Sequence, residues 1–136
     1  MSGPLSGAVL DHVGTEEPDI DARVAFLVDV LGFRVLRWGT HVLTGLRIAM
    51  VADPLGTKLE LMEVTERTGE LDHVAYRVGD VDAAHAVLLA AGCTELRAPF
   101  EIPAAQARSS LLREAAGHQL QLIAYRPGSP DLAVPT

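Results

Sequence analysis

The sequence predicts an α+β protein built from two tandem βαβββ modules, residues 8–64 and 69–126, followed by a tail at 127–136. Three observations predict this fold class. The chain repeats itself at an interval of 61 residues. Each copy shows one strand pattern, one helix pattern and then three further strand patterns. A length of 136 residues suits one compact unit.

The repeat is visible when residues 8–64 are laid over residues 69–125. Thirteen of the 57 aligned pairs are then identical. The run Leu10–Val13 matches Leu71–Val74 at every position, and Arg47 matches Arg108. Such self-similarity at a fixed interval indicates that each copy is one structural unit.

In the first module, Asp19 is expected to cap the helix and Gly32 to end it. An Asp-Pro-Leu-Gly turn at 53–56 precedes the last strand. The predicted elements are a strand at Ala8–Gly14, a helix at Asp21–Leu31, and strands at Phe33–Trp38, Leu46–Val51 and Lys58–Val64.

The second module is read in the same way, with Asp80 as the cap and Gly92 as the helix end. Two prolines and mixed polarity predict a loop at Pro99–Arg108, and three prolines predict a loose tail at 127–136. The predicted elements are a strand at Glu70–Val78, a helix at Val81–Ala91, and strands at Glu95–Ala98, Ser109–Glu114 and His118–Arg126.

The composition argues against several classes of protein. A formal charge of −7, with lysines and arginines scattered singly, argues against a nucleic-acid partner. No apolar run approaches the ~20 residues of a membrane span, and the first residues lack the pattern of a secretory signal. The single cysteine, Cys93, cannot form an internal disulfide, which fits a cytoplasmic protein.

A histidine on the first strand of each module precedes a polar residue on the last strand by 48 positions. These pairs are His12 with Glu60, and His73 with Gln121. Both polar residues lie between leucines, so the alternation of strand side chains turns them away from the leucine face. Two modules related by a pseudo-twofold axis would bring all four side chains together. Two nitrogens and two oxygens suit one divalent ion of Mn, Fe, Co, Ni or Zn.

These strands resemble the ligand-bearing strands of the vicinal oxygen chelate superfamily, which includes glyoxalase I and methylmalonyl-CoA epimerase. The resemblance covers residues 8–126 and rests on LDHVG, GTKLEL, LDHVAYRV and GHQLQL. It implies a glyoxalase-like, U-shaped mixed sheet around a central site, formed within one chain or across a homodimer. It also implies a small-molecule substrate and the metal ligands His12, Glu60, His73 and Gln121.

Within this superfamily, the chain looks nearest to the methylmalonyl-CoA epimerases, in Gly45–Ala49, Thr57–Leu61 and His73–Ala75. Those epimerases carry glutamine in the first module and glutamate in the second, and here the order is reversed. The glutamate that they use as an acid or base aligns with Leu43. His41, two residues away, is the candidate substitute.

The predicted function is a metal-dependent isomerase or lyase that stabilises an enediolate or similar oxyanion, with Glu60 as the catalytic base. One alternative is an Fe(II) dioxygenase that uses the two histidines and Glu60. Another is a metal-free protein that binds a drug or natural product. Four arginines are either scaffold residues or ligands of a substrate carboxylate or phosphate: Arg37, Arg47, Arg108 and Arg113.

Overall fold

A computed structural model describes residues 7–69 and 71–134, and the chain divides into two compact units. The first unit contains the described residues of 12–72 together with 130–134. The second unit contains residues 7–11 and 73–129. Each unit holds the body of one predicted module, although the first residues of the strands Val9–Glu17 and Leu71–Arg77 are assigned to the other unit.

The first unit carries four strands and one helix in the predicted order. In its sheet the strand order is β2-β3-β4-β1, with β1 parallel to β4 and the other pairs antiparallel. The elements are β1 (Val9–Glu17), α1 (Ile20–Asp29), β2 (Arg34–Thr40), β3 (Arg47–Ala52) and β4 (Lys58–Glu63).

Helix α1 is fixed at both ends by the residues that the sequence indicates. The Asp19 side chain accepts a hydrogen bond from the backbone N–H of Ala22, and Gly32 adopts a φ of 74° just beyond the helix. The helix packs against one face of the sheet. The core between them contains Ile20, Leu27, Ala49, Val51 and Leu61.

The second unit repeats this arrangement with the strand order β5-β8-β7-β6, in which only the β5–β8 pair is parallel. Glu70, the predicted first residue of β5, lies outside the described residues. The elements are β5 (Leu71–Arg77), α2 (Val81–Ala90), β6 (Thr94–Ile102), a 3₁₀ turn (Pro103–Ala105), β7 (Ala107–Arg113) and β8 (Gln119–Tyr125).

The sheet of the second unit is packed on both faces. Asp80 caps α2 through the backbone N–H of Ala83, and Gly92 follows the helix with a φ of 103°. The helix-side core contains Val78, Val81, Ala84, Leu112, Leu120 and Leu122. The opposite face carries a smaller cluster of Ala105, Ala107 and Ile123.

No helix of residues 7–69 and 71–134 is long and apolar enough to cross a membrane.

The predicted loop at Pro99–Arg108 is wrong for most of its length. Strand β6 continues through Pro99 to Ile102, and β7 begins at Ala107. The pairing of β6 with β7 shifts register between Arg97 and Phe100. Proline is tolerated at such a bulge on an outer strand, because the ladder does not need its missing N–H there. Only the 3₁₀ turn interrupts the pair.

The predicted loose tail is also corrected for its described part. Ser129 and Asp131 are both buried. The Ser129 hydroxyl donates to the carbonyl of Ala105, and the Asp131 carboxylate accepts from Arg37. These polar contacts hold a proline-rich segment that has few apolar residues. Pro135 and Thr136 lie outside the described residues.

Candidate metal centre

His12 and Glu60 lie together in the first unit, on the adjacent parallel strands β1 and β4. Gly14 pairs with Glu60 in the register, so His12 and Glu60 lie on the same face of the sheet. The distance from His12 Nε2 to Glu60 Oε1 is 4.0 Å. The His12 side chain is fully buried, and that of Glu60 is 13% exposed. A carboxylate oxygen and an imidazole nitrogen therefore lie close together at a site that solvent reaches from the Glu60 side.

The position of Glu60 follows from the leucines that flank it. Leu61 belongs to the core beneath α1, and Leu59 packs against that core. Because strand side chains alternate, Glu60 is directed to the face opposite the helix. A register shift of one residue would bury Glu60 under α1, where a carboxylate is costly.

His73 and Gln121 occupy the corresponding places in the second unit. Leu120 and Leu122 lie in the core beneath α2. Gln121 is therefore directed to the opposite face, and it is buried. Ala75 pairs with Gln121 across β5 and β8, so His73, two residues before Ala75, lies on this same face.

Ser109 orients the amide of Gln121. The Ser109 hydroxyl donates its one hydrogen to the carbonyl of Leu122 at 2.8 Å. Ser109 Oγ then accepts from Gln121 Nε2 at 2.9 Å. Because that hydroxyl hydrogen is already committed, only the amide nitrogen of Gln121 can face Ser109. The amide oxygen, Oε1, consequently points away from Ser109 as the end that can bind a cation.

The residues present fit a divalent ion by their chemistry. The 4.0 Å between His12 and Glu60 is too long for a hydrogen bond. Two donors bonded to one ion at about 2.1 Å each can lie up to ~4.2 Å apart. In each unit, the imidazole nitrogen and the oxygen donor are of types that suit first-row divalent metals.

His41, the second candidate for a catalytic base, lies in the turn after β2. Its Nδ1 accepts hydrogen bonds from the backbone N–H groups of Leu43 and Thr44, at 3.1 and 3.4 Å. The neutral ring therefore carries its proton on Nε2, and protonation at Nδ1 would break these turn contacts. This arrangement makes Glu60 the stronger candidate for the base.

Sequence reasoning named Arg37 as a candidate but missed its polar partners Asp131 and Lys58 on the site face of the first unit. Arg37 donates from Nε and Nη2 to the two carboxylate oxygens of Asp131, at 2.8 and 2.9 Å. The buried Lys58 donates to the backbone carbonyl of Asp131. Alternation places Lys58 on the same face as Glu60, which was a usable signal. The partner Asp131 lies outside the repeat, so no spacing could indicate it.

Two further histidines and the cysteine lie outside the four candidate ligand positions. His85 is buried on α2, where its Nδ1 meets Ser110 Oγ at 2.8 Å and its Nε2 meets Glu95 at 2.7 Å. His118 is exposed. Cys93 is partly buried and packs against the helix-side core of the second unit.

Arg47 and Arg108 form equivalent scaffold pairs in the two units. Arg47 binds Asp21 through both carboxylate oxygens, and Arg108 binds Asp82 in the same way. The hydrogen bonds from each arginine hold the pKa of its aspartate below the usual range. Arg47 likewise lowers the pKa of Glu63. Arg113 donates to the carbonyl of Gly117.

Comparison with known proteins identifies a family whose model matches most of this chain. The model of the Glyoxalase/Bleomycin resistance protein/Dioxygenase superfamily matches residues 11–111, which is about three quarters of the chain. A search of curated proteins by sequence finds no significant match.

Solved structures match the fold over most of the chain. A variant of Streptomyces coelicolor methylmalonyl-CoA epimerase in complex with 2-nitronate-propionyl-CoA is 25% identical, with a TM-score of 0.74 over 85% of this chain and 96% of that one. A methylmalonyl-CoA epimerase in complex with methylmalonyl-CoA and NH4+ is also 25% identical, with a TM-score of 0.74 and coverages of 93% and 97%. The Mycobacterium tuberculosis epimerase is 23% identical, with a TM-score of 0.76 and coverages of 93% and 94%. The expected glyoxalase-like α+β fold is confirmed.

Proposed function

The chain belongs to the glyoxalase/bleomycin resistance protein/dioxygenase superfamily, and we propose that it is a divalent-metal-dependent isomerase or lyase. Its substrate is a small oxygen-rich molecule that loses a proton from carbon beside an oxygen-bearing carbon. His12, Glu60, His73 and Gln121 bind the same ion. The reaction type is supported by the 25% identical methylmalonyl-CoA epimerases.

One observation carries the proposal: the separation of His12 Nε2 and Glu60 Oε1 fits two ligands of one ion. The second unit supports it, because Gln121 directs its amide oxygen away from Ser109. Each unit then supplies one imidazole and one oxygen donor from matching positions of the repeat. A pair of structural histidines would not require this match.

The four side chains have separate roles in the reaction. A bound divalent ion supplies Lewis acidity, which stabilises the oxyanion that develops when the substrate loses its proton. His12 and His73 act as neutral imidazoles that hold the ion in place. Glu60 is the ionisable oxygen ligand, and it accepts the proton at a carboxylate oxygen and returns it to carbon or to an adjacent oxygen. Gln121 orients and does not exchange protons.

Elemental analysis of the protein, purified without added metal or chelator, tests the proposal. We expect about one divalent ion per chain in the wild type and none in the His12→Ala/His73→Ala double variant. Equal metal content in the two proteins would overturn the metal site. Such a result would favour the metal-free binding function that some members of this class have.

A mixing experiment decides whether the ligands come from one chain or from two. His12→Ala and His73→Ala chains, each without metal, are unfolded together and refolded as a mixture. Recovery of metal in the mixture, and not in either variant alone, would show a site shared across a homodimer. No recovery is expected if one chain supplies all four ligands.

A further inference from the structure

A buried ionic cluster joins residues 130–134, here called the tail segment, to strands β2 and β4 of the first unit. Arg37 donates hydrogen bonds to both carboxylate oxygens of Asp131, and Lys58 donates to the backbone carbonyl of the same residue. The side chains of Arg37 and Asp131 are only 11% and 1% exposed. The Arg37 guanidinium therefore already binds a carboxylate, that of Asp131, in a site from which water is largely excluded.

This cluster lies on the same face of the sheet as Glu60. Arg37 pairs with Met50, and Met50 pairs with Glu60. Directly paired residues share a face, so Arg37 and Glu60 are separated by two strand spacings, about 10 Å. Lys58 precedes Glu60 by two residues, or about 7 Å, along β4. One small molecule could span from Glu60 to either cation.

The tail segment is anchored by polar contacts. Val134 is 67% exposed and Leu132 is 36% exposed, so part of the apolar surface of the segment stays in contact with solvent. Beyond Asp131, Arg34 donates to the carbonyls of Asp53 and Val134. A guanidinium fork binds any carboxylate in the geometry that Arg37 uses for Asp131. A second carboxylate can therefore replace Asp131 without rebuilding the site.

We propose that Arg37 and Lys58 form a binding subsite for a substrate carboxylate, and that Asp131 fills this subsite when substrate is absent. Substrate binding then displaces the tail segment, which acts as a tethered competitor. The placement of the subsite beside a metal ligand rests on the proposed function. The binding of a carboxylate to Arg37 does not.

The test is a titration of the ¹⁵N-labelled full chain with sodium propionate, followed by NMR. We expect saturable shifts of the Arg37 side-chain Nε–Hε signal, accompanied by increased mobility of residues 131–134. Asp131→Asn should bind propionate at least about tenfold more tightly, because a tethered competitor acts at a millimolar effective concentration. Arg37→Gln should weaken binding at least about tenfold in either background.

Arg34→Gln is the matched control, because it removes a tail contact and leaves Arg37 and Lys58 in place; it should not weaken propionate binding. Unsaturable shifts in the wild type, or binding that Arg37→Gln leaves unchanged, would overturn the subsite. Tighter binding of inorganic phosphate than of propionate would overturn the carboxylate assignment. The wild-type titration decides the matter even if Asp131→Asn fails to fold. Metal content should stay the same in every variant, which separates this proposal from the metal site.

Discussion

The two oxygen donors of the candidate site occupy matching positions of the repeat but differ in their surroundings. Gln121 is buried, and its amide is held by Ser109. Glu60 is 13% exposed and lies 4.0 Å from His12. The scaffold around them is similar in the two units, since the Arg47–Asp21 and Arg108–Asp82 pairs correspond. One unit therefore carries a neutral donor whose amide is hydrogen-bonded to Ser109, and the other carries an ionisable donor.

Loss of either histidine should have the largest effect on the candidate site. His12→Ala and His73→Ala should each abolish metal binding, because a divalent site with one imidazole fewer loses most of its affinity. Metal per chain, measured after gel filtration, checks this. Retention of metal by one of the two variants would show that only the other half of the site binds the ion.

The difference between the two oxygen donors is tested by exchanging them. Glu60→Gln should keep most of the metal affinity but lose on the order of 10²–10⁴ in turnover, the usual contribution of a positioned base. Gln121→Glu should cost less. Turnover, or proton–deuterium exchange on a bound ligand, measures both effects. A Glu60→Gln variant with a near wild-type rate and metal in place would make Glu60 a ligand only, and His41 would be tested next.

The rigidity of Gln121 is tested at Ser109. Ser109→Ala should lower metal affinity about 10–100-fold, because partners that orient a ligand typically contribute this much. Ser110→Ala is the matched control, since the neighbouring serine bonds His85 instead. Competition with a chelating dye gives both affinities. Equal effects of the two substitutions would indicate general destabilisation and no orienting role for Ser109.

Loss of the Arg47–Asp21 or Arg108–Asp82 ion pair should have the smallest effect. The lowered pKa values of Asp21 and Asp82 mean that each pair stabilises the fold above about pH 4 and loses this contribution as pH falls through the depressed folded value. Arg47→Gln and Arg108→Gln should each lower Tm by at most a few degrees at pH 7, because exposed ion pairs contribute little. The differences should shrink as pH falls below about 4. Unequal effects at neutral pH would show that the two scaffolds are not energetically equivalent.

Much of the fold could be predicted from local signals. Asp19 and Asp80 cap their helices, and Gly32 and Gly92 follow them with positive φ. Such caps depend on a few neighbouring residues, so the sequence carries them openly. The leucines beside Glu60 and Gln121 are equally informative, since alternation is a property of any strand.

The structure alone decided the contacts between residues distant in sequence. Arg37 and Asp131 are separated by 94 positions, and neither belongs to a repeated motif. Pro99 lies in a strand, although the composition of the segment Pro99–Arg108 favours a loop. The bulge in β6 tolerates the absence of a backbone N–H at proline. In both cases pairing geometry outweighed local preference, and a one-dimensional pattern does not contain that geometry.

The sequence by itself determined the two modules, their helix ends, and the strand faces on which Glu60 and Gln121 lie. Tertiary structure decided which atoms of the candidate residues Gln121 and His41 can act. Ser109 turns the Gln121 oxygen outward, and the turn after β2 engages Nδ1 of His41. Periodicity fixes the direction of a side chain, because it follows from backbone geometry alone. Hydrogen-bond partners fix its chemistry, and they are brought near only by the folded chain.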